Sequence, residues 1–329
     1  MRAIGIVATG SYVPERVIAG ADVAGPAGVT PEWIERKTQI VTRRYAAPDQ
    51  ATSDLAVEAA RQALAQAGLP AEALRYLIVS TSTPDSPQPP TSYLVQDALG
   101  AHLAACFDLN VVCSGFVYGL ALARALVAQE PDAYALVVAA DVYSRILDIT
   151  DRKTVVLLGD GAGAALVGAV PAGGFLDVEL ASHGHARGLI RVDAGGSRMP
   201  ATHETVDNGD HFFRMDGRGV RDFVMENVPG AVRTLVERAG HRLADVDHFV
   251  PHQANGVLLS ELVSRAGLDH AHTHRTLERY GNTGSASVAL ALDDAHRGGH
   301  LRDGDLVLVA GFGGGMSLGA ALLRWTATR

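Results

Sequence analysis

The sequence repeats itself at long range. Residues 60 to 79 (ARQALAQAGLPAEALRYLIV) align with 232 to 250 (VRTLVERAGHRLADVDHFV) at an offset of about 172 residues. Each copy is an amphipathic helix, an Ala-Gly stop, a polar turn and an apolar strand. At nearly the same offset ALVVAA, 135 to 140, aligns with LVLVAG, 306 to 311, and CSGFVYGL, 113 to 120, falls against SASVALAL, 285 to 292. Helix-Gly-strand units recur in any α/β protein, but three ordered matches at one offset point to two copies of one unit. Short continuous apolar strands such as LIVST, ALVVAAD and LVLVAGF imply a parallel-rich sheet buried on both faces. The expectation is an α/β protein of two halves, 1–172 and 173–329, with an irregular insertion over about 173–220 that covers a site or an interface.

Composition removes the competing classes. With 47% hydrophobic residues, 19% charged residues and only 2 Cys, the 329-residue chain is neither disordered, nor collagenous, nor a disulfide scaffold, nor a coiled coil. A net charge of -8 provides no field for a polyphosphate, so nucleic acid is not an expected partner. The opening MRAIGIVATGSYVPE reads as a strand and turn, which makes a cytoplasmic protein the expectation. Leu306 to Leu323 is 18 residues without a charge, but its five glycines suit two buried strands joined by a tight turn better than a membrane span. Were FDLNVV a strand, Cys106 and Cys113 would lie roughly 20 Å apart, beyond disulfide reach.

Candidate chemistry clusters at strand ends. Cys113 stands where FDLNVV meets the helical SGFVYGLALARALVAQ. A thiol at a helix N-terminus feels the positive end of the dipole, which lowers its pKa and favours nucleophilic use, although an apolar context also suits an inert core cysteine. Cys106, without that context, reads as core filler. His252 follows the apolar strand HFV in FVPHQAN, and the repeat brings the carboxyl end of that strand to the same edge as LIVSTSTP. Asn282 in RYGNTGSAS reads equally as a turn or N-cap residue or as a polar contact for a ligand. GFGGGMS, 311 to 317, is either a plain turn or a loop whose bare N–H groups approach a ligand. GDGAG, 159 to 163, lacks the ending of a phosphate-binding loop. The histidines of SHGHARG and DHAHTHRT read as solvated surface, and no metal site is expected.

Together GSYVPE, PEWIERKTQI, DLNVVCSGF, ALVVAADVYSR, TDRKTVVLLGDGAGAALV, VPHQAN, RYGNTGSASV and GFGGGMSLGAAL resemble the β-ketoacyl-acyl carrier protein synthase III family of the thiolase superfamily, over nearly the whole chain. The resemblance implies the duplicated, five-layer αβαβα thiolase-like fold and a Cys-His-Asn site. Cys113 would take an acyl group from a thioester. His252 and Asn282 would donate hydrogen bonds to a malonyl-type thioester as carbon dioxide leaves, and the backbone N–H groups of Cys113 and Gly314 would hold the oxyanion. Trp33 and Arg152 match residues that sandwich adenine in CoA-using relatives, with Lys37 and Asn255 also on the thioester path. No cofactor is implied beyond CoA or phosphopantetheine thioesters as substrates, and the implied partners are acyl-CoA, an acyl carrier protein and a second copy of the chain, with no membrane. An acyltransferase of the same fold, passing the acyl group from Cys113 to a hydroxyl or amine, is the alternative. A silent partner subunit is the third reading, and Cys113 argues against it.

The sequence departs from the family at several points. Lys37 stands where Arg is usual, and Gly256-Val257 follows VPHQAN where many relatives carry a basic residue that receives the carrier protein. Arg221 and Asp222 replace an apolar and then a basic residue, and Gln88 stands where a bulky apolar side chain often crosses into the partner's acyl pocket. Gln88 and Arg221 are therefore expected at the acyl pocket, making a more polar tunnel with an altered docking face, as in an enzyme of specialised metabolism.

Overall fold

The computed structural model describes residues 2–130 and 132–326. Ten strands build two five-stranded sheets. The first contains β1 (Ala3–Tyr12), β2 (Leu74–Ser80), β3 (Ala105–Leu109), β4 (Tyr134–Val142) and β5 (Asp160–Val170) in the order β1-β5-β4-β2-β3. The second contains β6 (Gly174–Ser182), β7 (His248–Pro251), β8 (His272–Thr273), β9 (Leu306–Gly313) and β10 (Ser317–Arg324) in the order β6-β10-β9-β7-β8. Adding five to each label of the first order gives the second. The repeat is thus a repeat of topology: its matched segments form β2 and β7, β4 and β9, and the two central helices.

Six long helices complete the layers: α1 (Thr52–Ala67), α2 (Thr91–Leu99), α3 (Gly115–Gln129), α4 (Gly217–Arg238), α5 (Gly256–Ala266) and α6 (Ala286–Arg297). α1 packs on the outer face of the first sheet, with α2 beside it; α3 and α6 fill the space between the sheets, and α4 covers the second sheet with α5 beside it. The central helices need apolar residues on most of their surface. α3 accordingly buries Phe116, Val117, Leu120, Ala123 and Val127, and α6 buries Val288 through Leu292. Val112–Gln129, long and apolar enough to span a membrane, consists of α3 and the turn before it.

Two expectations need correction. Each sheet is mixed rather than parallel-rich: β2 runs parallel to β3 and β4, while β5 runs antiparallel to β1 and β4. In the second sheet the three-residue connection Gly314–Met316 between β9 and β10 permits only antiparallel pairing. The segment after residue 173 is not irregular throughout, because it opens with β6, an edge strand of the second sheet. Beyond it, residues 183 to 216 carry the short ribbon Ile190–Arg191 with Arg214–Met215 and lie along the cavity described below.

Candidate active site

A cavity of about 1050 Å³ opens at the carboxyl ends of strands β3, β4, β7 and β9, from both halves. Cys113, His252 and Asn282 all line it, together with Gly313 from the glycine loop. It continues outward past Trp33, Lys37, Arg152 and Asn255, with Ile190, Arg191, Asn208 and Phe213 among the residues contributed by the covering segment.

Cys113 is held by a strained turn. FDLNVV is not one strand: β3 stops at Leu109, and Val112–Ser114 forms a single 3-10 turn before α3. Val112 has φ 47, a left-handed conformation in which a β-branched residue costs about 1–3 kcal/mol. Its side chain fills the space a Cβ on Gly314 would take, so a bare glycine there is a steric requirement of the turn. Ser317 Oγ donates to Val111 O at 3.2 Å and lies 3.0 Å from Ser114 Oγ, fastening the turn to β10. Sequence reading expects the helix dipole to lower the thiol pKa. Instead burial pushes it up to about 12, opposed by the Gly314 N–H and by the residue's own N–H, with the charge of Asp141 adding to the rise. Desolvation at a site 7% exposed outweighs the dipole, so the resting group is a thiol.

His252 follows β7 directly and is 2% exposed. Its Nδ1 lies 2.7 Å from Ser287 Oγ on the first turn of α6, and its ring stands edge-on to Phe312 with centroids 5.4 Å apart. Burial pushes the imidazole down to about 3 against a hydrogen bond to the Gly284 backbone, so the ring is neutral. Asn282 sits where the segment 157–159 meets the turn before α6: its N–H donates to Leu157 O at 2.9 Å and its carbonyl accepts from Gly159 N at 3.0 Å. Its Oδ1 accepts from Gly284 N–H at 3.0 Å. The turn reading and the ligand reading are therefore compatible, because fixing Oδ1 in the turn leaves the NH2 to face the cavity.

The remaining expected residues divide. Trp33, on the helix Pro31–Thr38, is half-buried, and Lys37 and Arg152 are exposed, all along the cavity. Asn255 caps α5, accepting from Val257 N at 2.9 Å and Leu258 N at 3.2 Å. Arg221 does not line the cavity: Val220 and Val224 do, and a helix turns the intervening position outward, where Arg221 pairs with Glu261 at 2.6 Å and Asp222 at 3.0 Å. Gln88 is exposed on the loop before α2, outside this cavity. Gly161 and Gly163 lie in β5, pressed against Leu290 and Ala289 of α6, so GDGAG packs a strand onto a helix. His274, expected on a solvated surface, is 5% exposed, because the chain leaving β8 turns beneath Gln253.

Sequence reading missed Val112, Ser287, Tyr143 and Asp141. Tyr143 lines the cavity with its hydroxyl 2.8 Å from Ser82 Oγ, and Asp141 is fully buried behind it. One signal was available: an aspartate closes the apolar run ALVVAAD, where nothing in the run itself compensates a charge.

Comparison with known proteins finds relatives over nearly the whole chain. Family profiles for 3-oxoacyl-[acyl-carrier-protein] synthase III match residues 107–184, and for its C-terminal part residues 236–325. The chain is 52% identical to the acetoacetyl CoA synthase NphT7 of Streptomyces sp. (strain CL190), covering 97% of this chain and 98% of that protein. It is 44% identical to the β-ketoacyl-[acyl-carrier-protein] synthase III of Symbiobacterium thermophilum, over 99% of both. The crystal structure of the priming β-ketosynthase of the R1128 polyketide biosynthetic pathway superposes with a TM-score of 0.92 at 35% identity, over 100% of this chain and 98% of the other. Fold and relatives together define an acyl-transferring condensing enzyme of the thiolase fold. The chain belongs to the β-ketoacyl-[acyl-carrier-protein] synthase III family.

Proposed function

We propose that Cys113, His252 and Asn282 carry out a decarboxylative Claisen condensation between an acyl-CoA and a malonyl thioester, and that the malonyl carrier is also CoA. The Cys113 sulfur attacks the acyl thioester carbonyl, the C–S bond to CoA breaks, and the thiol proton leaves with the CoA sulfur. The Gly314 N–H, already directed at Cys113, supports the acyl oxyanion. His252 and Asn282 then donate to the malonyl thioester oxygen. As the carboxylate departs as carbon dioxide, its electron pair forms the enolate, whose carbon attacks the acyl-Cys113 carbonyl. The Cys113 thiolate leaves and takes a proton from water. A neutral imidazole and an amide are suited to this task, since both donate without needing to titrate.

One observation carries the reading: the three side chains line a single cavity beside the glycine loop. The preference for CoA rests on charge. Lys37, Arg152, Lys153 and Arg218 line the cavity and form no ion pair among the described residues, which suits the phosphates of CoA. Outside, Val257 is 47% exposed where α5 begins, while Arg221 and Arg265 are turned to Glu261, leaving no free basic face on α5 for an acidic carrier protein. Free thiols at Cys106 and Cys113 suit a reducing compartment such as the cytoplasm. The open edge strand β3 supports a homodimer. Intact-protein mass spectrometry with acetyl-CoA should give an acyl adduct on wild type and none on Cys113→Ala, and malonyl-CoA should then release carbon dioxide with a β-ketoacyl-CoA product. An ester or amide product without carbon dioxide would overturn the reading in favour of acyl transfer to a hydroxyl or amine.

A further inference from the structure

Asp141 closes β4 with its side chain fully buried and, among the described residues, no cation paired to it. Its two oxygens serve different halves of the chain. Oδ1 accepts from Ser82 N–H at 2.8 Å, Ser82 Oγ at 3.1 Å and Thr81 Oγ1 at 3.2 Å, all from the loop after β2. Oδ2 accepts from Ser285 N–H and Ser285 Oγ, both at 2.8 Å, at the N-terminus of α6. Gly284, at φ 58, has no room for a Cβ between Asp141 and Tyr143. The same turn holds the site: Gly284 N–H fixes the Asn282 Oδ1, and Ser287 Oγ contacts His252 Nδ1.

We infer that Asp141 is a positioning residue for the condensation, anchoring the first turn of α6 and, through it, His252 and Asn282 opposite Cys113. This rests on the roles given above under Proposed function. A carboxylate at a helix N-terminus meets N–H groups and the positive end of the dipole, so the anchor is directional. Burial raises the carboxyl pKa, and the Ser82 and Ser285 hydrogen bonds oppose that rise. Asp141 has a second effect that a merely structural contact lacks: after burial, the larger cause, its charge adds to the rise in the pKa of both Cys113 and Tyr143. It therefore helps to keep the thiol protonated at rest.

Asp141→Asn tests both effects. The amide cannot accept at both ends, so kcat for condensation should fall at least about tenfold while the KM for malonyl-CoA stays within about twofold. Removing the charge should speed iodoacetamide alkylation of Cys113 several-fold at fixed pH, the opposite of what general damage to the site produces. Ser285→Ala keeps the charge but removes one tether to Oδ2; it should lower kcat and leave the alkylation rate at the wild-type value. Wild-type kcat and wild-type alkylation in Asp141→Asn would overturn the inference. If that variant does not fold, wild-type kcat in Ser285→Ala would do so. Should wild-type enzyme release no carbon dioxide, the proposed function fails, yet the alkylation comparison still decides whether Asp141 acts on Cys113.

Discussion

Cys113 and His252 hold their protons in opposite senses for the same reason. Burial disfavours charge on either, pushing the thiol up to about 12 and the imidazole down to about 3. Both groups are consequently neutral from about pH 5 to 9. The condensation rate should show no inflection near 6.5 from His252, and alkylation of Cys113 should climb about tenfold per pH unit across pH 7 to 10 without a plateau. A plateau below pH 9 would contradict the burial argument. Asn282, whose Oδ1 is committed to the Gly284 N–H, has its NH2 to contribute. Asn282→Ala should therefore lower condensation about 10²–10³-fold, the usual loss for one preorganised donor, and leave the acetyl adduct on Cys113 intact. Loss of the adduct as well would assign Asn282 to the acylation step. None of these proton preferences could be read locally: the position of Cys113 at a helix start was legible, but its pKa depends on the glycine loop and on Asp141, which are distant in sequence.

Among the elements, the matched segments of the repeat were legible because each strand and helix carries its own periodicity. The positions that were misread depend on tertiary contact. Val112 adopts a left-handed φ only because Gly314 leaves room for its side chain, and no propensity of valine predicts that. The family resemblance put Arg221 at the acyl pocket, yet it follows the cavity-lining Val220, and adjacent helical positions point about 100° apart. β7 and β8 carry a consequence for stability. His248 Nδ1 lies 3.0 Å from His274 Nε2, its Nε2 lies 3.0 Å from Asp305, and the rings of His272 and His300 complete the group around His274. Burial first, then the neighbouring imidazoles, pushes His274 down to about 3, as burial does for His252 at the end of β7. Below pH 6.5 the unfolded chain takes up protons that these folded imidazoles refuse. Stability is thus fully present above 6.5 and falls as pH drops toward 3, by about 1.4 kcal/mol per unit for each ring. Urea midpoints measured from pH 7 to 4 should fall steeply for wild type and less so for His274→Gln. Parallel slopes would remove His274 as a cause.

At the scale of the whole molecule, duplication closes one set of surfaces and leaves another open. The faces of both sheets are covered by helices, and β6, an edge of the second sheet, lies beside β1 of the first. Among the described residues no further strand pairs with the outer edge of β3: it ends the first sheet, and its residues are only half-buried or exposed. Near it, Tyr93 and Leu94 on α2 are 52% and 38% exposed, and Leu103 just before the strand is 72% exposed. An unpaired edge bordered by large apolar side chains is a surface that soluble proteins ordinarily cover. A second copy pairing β3 with β3 across a two-fold axis would cover it with complementary N–H and C=O groups on both sides. The net charge of -8 opposes that pairing, and salt screens the repulsion, so association should strengthen rather than weaken as ionic strength rises. Light scattering at micromolar concentration should give twice the chain mass of 34.4 kDa. Tyr93→Glu combined with Leu94→Glu adds charge to the same edge without touching the core, and should raise the dimer Kd at least about tenfold. A wild-type monomer, or a double variant as dimeric as wild type, would move the interface away from β3.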